Sequence, residues 1–253
     1  MRIAREEGSE RFPLTRQSIL EDARSADPAL RARALDVIAA AYWRPVFTYL
    51  RLRWRLDHDT AKDLTQDVFA DVVFRERLAE YDPARARFRT WLRLLIDSQA
   101  SNAHKAASRL KRGGGTETLS LDFARAEAEM VHSERDDDDP DALFQREWVR
   151  ALFSSVVDAL REECLTSGKE LQFALFLRYD IEEAGSAESL SYGALAAEYG
   201  LPVTQVTNYL AWSRRTFRML VLERLRVLSA DDAEFRDSVR DVLGRRASDA
   251  LSS

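Results

Sequence analysis

The chain is expected to be all-α, with two helical domains joined by a flexible acidic linker. Three observations predict this. Ala, Leu, Arg and Glu dominate while Pro (6) and Gly (9) are scarce, and such residues favour helices over strands. Apolar residues make up 45% of the 253, enough to build packed cores. Residues 111–141 interrupt the helical pattern with Lys-Arg-Gly-Gly-Gly, then Thr-Glu-Thr-Leu-Ser-Leu-Asp, then an acidic run ending in Pro140, a composition suited to a linker.

Taken in order, residues 1–13 read as a tail. Apolar periodicity then predicts helices over 15–26, 28–56, 59–79 and 87–108 in a first domain of 14–110. The break at Tyr81-Asp82-Pro83 follows from proline pushing the residue before it out of the helical region. A kink or break is expected near Pro45. A second domain of 142–228 is predicted to hold helices over 142–163, 168–180, 191–199 and 203–227. An extension of 229–253 carries a short helix near 231–244, and no internal repeat is present.

Several classes of function are disfavoured. No window reaches about 18 uninterrupted apolar residues, and Met-Arg-Ile-Ala-Arg-Glu-Glu lacks the core of a signal peptide, so a cytoplasmic protein without membrane attachment is expected. Cys164 is alone, which leaves no intrachain disulfide, and His58, His104 and His132 show no metal-ligand spacing with it. The triple glycine has neither a following Gly-Lys-Ser or Gly-Lys-Thr nor a preceding strand, and reads as a joint instead of a phosphate loop. No nucleophile, acid–base pair or metal cluster supports an enzyme, and no cofactor is expected.

Residues 192–211 carry the most informative pattern. Two helices crossing steeply need a small residue at their contact, here Ala196, and four positions on Gly200 suits a left-handed turn. Leu195, Tyr199, Leu201, Val206 and Tyr209 fall at inward positions, and Pro202 suits the first turn of the second helix. This is a helix-turn-helix. Burying Val206, Tyr209, Leu210, Ser213 and Phe217 turns Thr204, Thr207, Asn208, Ala211, Arg215 and Arg218 outwards, where short polar groups reach base edges and arginines reach phosphates. The run Arg214-Arg215-Thr216-Phe217-Arg218 adds positive charge at the expected end.

The net charge of −5 conceals a segregation. Lys105, Arg109, Lys111 and Arg112 precede an acidic block of Glu127, Glu129, Glu134, residues 136–139 and Asp141, and Arg214, Arg215, Arg218, Arg224 and Arg226 follow it. Local field governs the binding of a polyanion, so two basic patches flank an acidic connector.

The helix from Asp59 onwards has a broad apolar arc of Leu64, Val68, Phe69, Val72 and Val73. Opposite it Thr60, Asp63, Asp67 and Asp71 form one stripe, with Gln66 beside them. Like charges at this spacing repel, and aspartate is a weak helix former. Either the stripe meets a basic protein partner or it is simply a solvated acidic face.

In chain order these motifs resemble the extracytoplasmic-function sigma factors of bacterial RNA polymerase. Their clamp-binding motif runs Asp-Ala-Glu-Asp-Leu-x-Gln-Glu-x-Phe, which Ala61, Asp63, Leu64, Gln66 and Phe69 match, with Asp67 a conservative replacement. Tyr81-Asp82-Pro83-Ala84-Arg85-Ala86-Arg87-Phe88-Arg89-Thr90-Trp91-Leu92 is similar to the family's Asp-Pro-x-x-x-x-Phe-Arg-x-Trp-Leu, and Ser191-Tyr192-Gly193-Ala194-Leu195-Ala196 to its Ser-Tyr-x-x-Ile-Ala. Ala41-Tyr42-Trp43-Arg44-Pro45 and Leu119-Ser120-Leu121-Asp122 are similar to a subgroup with long linkers and extended termini. The likeness covers residues 12–228.

The resemblance implies a region 2-like bundle in the first domain and a region 4-like helix-turn-helix in the second. It implies that Thr60, Asp63, Leu64, Gln66, Asp67 and Asp71 meet the clamp helices of the largest subunit of core RNA polymerase. Ser98, Asn102 and Lys105 would read the minus-10 box of promoter DNA, with Phe88 and Trp91 as core anchors; the asparagine common in the family where Ser98 stands is absent. Thr204, Thr207, Asn208 and Ala211 would lie nearest the minus-35 bases, with Arg214, Arg215 and Arg218 on phosphates. The free chain is expected to be a monomer.

One departure bears on regulation. Thr60 and Lys62 stand where the family has Asp and Glu, removing negative charge from a surface that meets a basic partner. A phosphate on a first-turn threonine is favoured by the helix dipole and adds about −1.5 to −2 charge. A Ser/Thr protein kinase acting at Thr60, or second at Thr65, is one expectation; the other is that Asp63, Asp67 and Asp71 suffice. The resemblance implies that an anti-sigma protein or extra domains are the commoner restraints, and the extension after residue 228 is too short to be an obvious separate domain. The competing class is a stand-alone helix-turn-helix regulator that binds duplex DNA as a dimer.

Overall fold

The computed structural model describes residues 19–74, 77–107, 123–130, 139–182 and 190–244. Every regular element among them is helical, as the composition predicts. The tail 1–13, the basic residues Arg109, Lys111 and Arg112, the glycine run, His132, residues 119–122 and Asp136, Asp137 and Asp138 lie outside the described residues.

After a single turn, α1 (Ile19–Asp22), Asp27 caps α2 (Pro28–Arg53), accepting hydrogen bonds from the amides of Ala29 (2.9 Å) and Leu30 (3.5 Å). The break expected at Pro45 does not occur. A mid-helix proline costs about 3 kcal/mol, but α2 is buried on either side of it through Tyr42, Val46, Phe47, Tyr49 and Leu50. Tertiary burial outweighs the lost backbone hydrogen bond. The helix expected over 59–79 is instead α3 (His58–Phe74) followed by a separate 3-10 turn, Arg77–Glu80. Phe88–Ala107 forms α4.

A short helix, α5 (Phe123–Met130), stands inside the stretch expected to be linker. Phe123 and Ala126 lie one turn apart and are both buried. The Phe123 ring meets Trp43 and Phe47 edge-on, with centroids 5.2 and 5.0 Å away. Glu127 on the next turn pairs with Arg51 and lies 3.3 Å from the His58 ring. An amphipathic turn that finds a groove on α2 is thus ordered by packing which no local signal announces.

The long α6 (Pro140–Thr166) is capped by Asp139 and packs on α2 along one side and on α9 (Val203–Leu228) along the other. Its Trp148 is 1% exposed, stacked on Tyr42 at 6.5 Å and covered by the Arg89 guanidinium 4.0 Å from the ring centroid. One continuous apolar core therefore runs from Leu20 of α1 through α2, α3, α4, α5 and α6 to Val221 and Leu225 of α9 and Val239 of α10 (Asp232–Leu243). Two smaller clusters lie beyond it. Leu160, Cys164 and Phe176 join α6 to α7 (Glu170–Phe176), while Leu175, Leu195, Ala196, Val206 and Leu210 fill the space beneath α8 (Tyr192–Tyr199) and α9.

No helix among the described residues is long and apolar enough to cross a membrane.

Trp148→Ala is expected to cost about 3–5 kcal/mol, because a fully buried indole leaves a cavity, whereas Leu165→Ala at a 54% exposed site should stay within about 0.5 kcal/mol. Urea unfolding followed by circular dichroism compares the two.

Candidate nucleic-acid interface

The helix-turn-helix forms as its sequence requires. Ser191 caps α8, its hydroxyl accepting from the Ala194 amide at 3.1 Å. Gly200 adopts φ 65° and ψ 34° at the end of α8, a conformation that a Cβ would resist. The Leu201 amide then reaches back to the Ala196 carbonyl at 2.9 Å, closing the helix end. Pro202 serves as the cap of α9 and not as its first helical residue; its carbonyl receives the Gln205 and Val206 amides. With Ala196 4% exposed and Leu195, Val206 and Leu210 fully buried, the two helices touch at their small and apolar positions.

The outer face of α9 presents Thr204, Thr207, Asn208, Ala211, Arg215 and Arg218, all exposed. Thr207 already donates its hydroxyl to the Val203 carbonyl at 2.9 Å, which fixes its rotamer and leaves its oxygen as an acceptor. Short polar groups in the first two turns followed by arginines in the fourth and fifth form a surface suited to the major groove.

Arg214 departs from expectation. Its guanidinium grips Asp180 through Nε and Nη2 at 2.8–3.1 Å and donates from Nη1 to the Tyr192 hydroxyl at 2.9 Å. It also lies 5.4 Å from the Tyr179 ring centroid. Hydrogen bonding to Asp180, opposed by desolvation, holds this arginine charged even more firmly than usual. Arg214 is therefore a clasp joining α8, α9 and the wide π-helical turn Leu177–Glu182, its guanidinium already held by Asp180 and Tyr192. That π turn also replaces the end of the helix expected over 168–180. Sequence reasoning missed the clasp because Asp180 lies 34 positions earlier, in an element without a local signature.

On α4, Ser98 and Asn102 are exposed one turn apart, and Leu94 a turn earlier is 53% exposed. Lys105 lies on the same helix, with its side chain outside the described residues. Phe88 is fully buried, and Trp91 packs against it at 5.4 Å and against Tyr81 at 5.6 Å, so both rings anchor the core. The opposite side of α4 is tied down. Asp97 accepts from the Tyr49 hydroxyl and from Trp54 Nε1, each at 2.9 Å, while Arg93 bridges Asp97 (2.7 Å) to Asp141 at the start of α6.

On α3 the acidic stripe is real, but its membership changes. Thr60, Asp63 and Asp67 are exposed and Asp71 is half-buried, accepting from Gln99 Nε2 at 2.7 Å. Leu64 is 7% exposed and belongs to the core, so it cannot touch a partner as expected. Gln66 is half-buried, with its Nε2 covered. Lys62 lies 5.8 Å from the Phe123 ring centroid, so the added positive charge faces α5. Thr65 is fully buried with its hydroxyl on the Ala61 carbonyl at 2.7 Å, which removes it as a kinase site in the folded chain. Thr60 remains accessible. Its amide (2.9 Å) and hydroxyl (2.8 Å) both donate to Asp57, the residue preceding α3, and hold that carboxyl below its ordinary range.

Comparison with protein-family models, with curated proteins and with solved structures returns no match.

Arg214→Ala is expected to destabilise the chain by about 1–2 kcal/mol by leaving Asp180 and Tyr192 without their partner, whereas Arg215→Ala and Arg218→Ala should leave stability unchanged and weaken binding to duplex DNA. Thermal unfolding together with fluorescence anisotropy on a labelled duplex separates the two roles.

Proposed function

We propose that the chain is a sigma factor of the extracytoplasmic-function type, a cytoplasmic binding protein and not an enzyme, without a cofactor. It binds core RNA polymerase through the stripe on α3 and directs initiation at promoters read by α4 and α9. The observation that carries the reading is the coexistence, on one chain, of a helix-turn-helix with an open polar and basic outer face and an exposed acidic stripe on a separate helix. A reader of DNA has no use for the stripe, and a protein adaptor has no use for the helix-turn-helix. In this reading two helical units, regions 2 and 4, act on promoter DNA as separate arms joined through residues 111–141.

The core-binding residues are then Asp63, Asp67 and Asp71 with Thr60, while Leu64 shapes the helix from within. The minus-10 contacts fall to Ser98, Asn102 and Lys105, and the minus-35 contacts to Thr204, Thr207, Asn208 and Ala211, with Arg215 and Arg218 on phosphates. A phosphate on Thr60 would replace its hydroxyl bond to Asp57 and set a dianion beside a carboxylate. Kinase control therefore requires a strongly basic partner surface to offset that repulsion. An anti-sigma protein is the alternative restraint.

A second reading, a stand-alone regulator that binds duplex DNA as a dimer, is favoured by one observation: α9 belongs to the same continuous core as the N-terminal helices. Such a regulator needs no polymerase.

The test is retention of the purified chain on bacterial core RNA polymerase. The unmodified chain should be retained as a monomer, and Asp63→Lys with Asp67→Lys should lose at least about tenfold in affinity, equivalent to about 1.4 kcal/mol. Thr60→Asp binding more tightly than the unmodified chain would support kinase control, while no retention of any form moves the assignment to the stand-alone regulator.

A further inference from the structure

The acidic helix α10 sits on the start of α4, and this contact goes beyond what a sigma factor needs to bind polymerase or DNA. Arg87 is forked between Asp237 (3.0 Å) and Asp241 (2.6 Å) of α10. Arg89, with its side chain 6% exposed, donates to the Ser238 hydroxyl at 3.3 Å, and its nearest Asp241 oxygen is 3.9 Å from Nη2. Phe235 and Val239 on the inner face of α10 enter the common core, and the Arg226 guanidinium of α9 lies 4.2 Å from the Phe235 ring centroid. Through this helix the end of the minus-35 element is fastened to the start of the minus-10 element.

That fastening conflicts with the geometry of a promoter. Boxes centred 10 and 35 bases before the start of transcription lie about 25 base pairs apart, about 85 Å at 3.4 Å per pair. A compact chain of 253 residues has a radius of gyration of about 18 Å and so a diameter of about 45 Å. It cannot reach both boxes while α4 and α9 share one core.

We propose that the compact form is a resting state, that α10 adds a latch to the α2–α6–α9 packing that holds this state, and that the latch competes with nucleic-acid phosphates for Arg87 and Arg89. The inference rests on the sigma-factor reading. The carboxylates of Asp237 and Asp241 place negative charge on the arginines of the segment that leads into the promoter-reading helix, where DNA would otherwise place it. The latch is also built to release. Arg89 is a buried cation whose Nη2 has no hydrogen-bond acceptor among the described residues, so the closed state leaves a costly donor unsatisfied that a phosphate oxygen can satisfy. The Arg87 ion pairs are more than one-third exposed, and pairs of that kind hold weakly and are screened by salt.

The test uses the full chain and the double variant Asp237→Asn with Asp241→Asn, which leaves the α3, α4 and α9 surfaces untouched. Small-angle scattering measures the radius of gyration, and anisotropy measures the affinity of the labelled chain for core polymerase with a fork-junction DNA. The variant is expected to bind the polymerase–DNA complex about tenfold more tightly and to show a larger radius, with Asp237→Glu and Asp241→Glu restoring wild-type behaviour. If wild type and double variant bind with equal affinity and have equal radii, the latch is overturned while the sigma-factor reading stands. If neither binds core polymerase, the sigma-factor reading fails and the latch falls with it. Far-ultraviolet circular dichroism identical to wild type excludes simple unfolding; a variant that has lost its helices while the deletion of 230–253 binds no better than wild type also overturns the proposal.

Discussion

The burial of Trp148 against Tyr42 and Arg89 is the contact on which the rest of the molecule depends. An indole with 1% of its surface exposed contributes more transfer free energy than an aliphatic side chain in the same core. Here it also serves as a hub. Its ring stacks on Tyr42 of α2 and carries the Arg89 cation from α4, and its own helix continues into contact with α9. A desolvated arginine over tryptophan adds about 2 kcal/mol, and it binds the helix that would read single-stranded bases to the one that supports the helix-turn-helix. Tyr42 also meets Phe88 edge-on at 5.1 Å, so the anchor extends to the Asp-Pro…Phe-Arg…Trp-Leu segment. Burial raises the Tyr42 hydroxyl's pKa, and this side chain acts as packing and not as a titrating group.

Around that hub the molecule separates what must be rigid from what must be open. The inward positions of α3, α4 and α9 are nearly all apolar and fully covered, whereas their outward stripes keep short polar or charged side chains exposed. Local devices then hold each stripe in register: Asp57 at the head of α3, Asp97 beneath α4, and the Arg214–Asp180–Tyr192 clasp under α9. Each uses a charged group accepting or donating several hydrogen bonds, which costs less side-chain freedom per bond than isolated pairs do. Each outward stripe is thereby held in place by bonds within the chain itself.

The basic and acidic groups are also distributed with an internal logic. Arg87 just before α4, and Arg89 and Arg93 within it, are answered by Asp141 of α6 and Asp237 and Asp241 of α10, all from the C-terminal half of the chain. Ser98 and Asn102 of α4 remain exposed. A net charge of −5 is thus compatible with a nucleic-acid binder, because part of the acid is spent internally on arginines of the same chain and the exposed arginines of α9 lie apart from it.

By itself the sequence determined the helical class, most helix boundaries to within a few residues, and the helix-turn-helix down to Ala196, Gly200 and the outward set on α9. These are local matters of period, capping and a left-handed turn, which operate over a few residues. The acidic stripe of Asp63, Asp67 and Asp71 was legible for the same reason. Only the tertiary structure decided that Pro45 is tolerated, that residues 123–130 fold onto α2, that Thr65 is internal, and that Arg214 clasps Asp180. It alone decided that α10 closes on Arg87 and Arg89. Each of these depends on a partner far away in the chain, and the free energy of such a contact is set by which surfaces meet after folding, which no window of sequence contains.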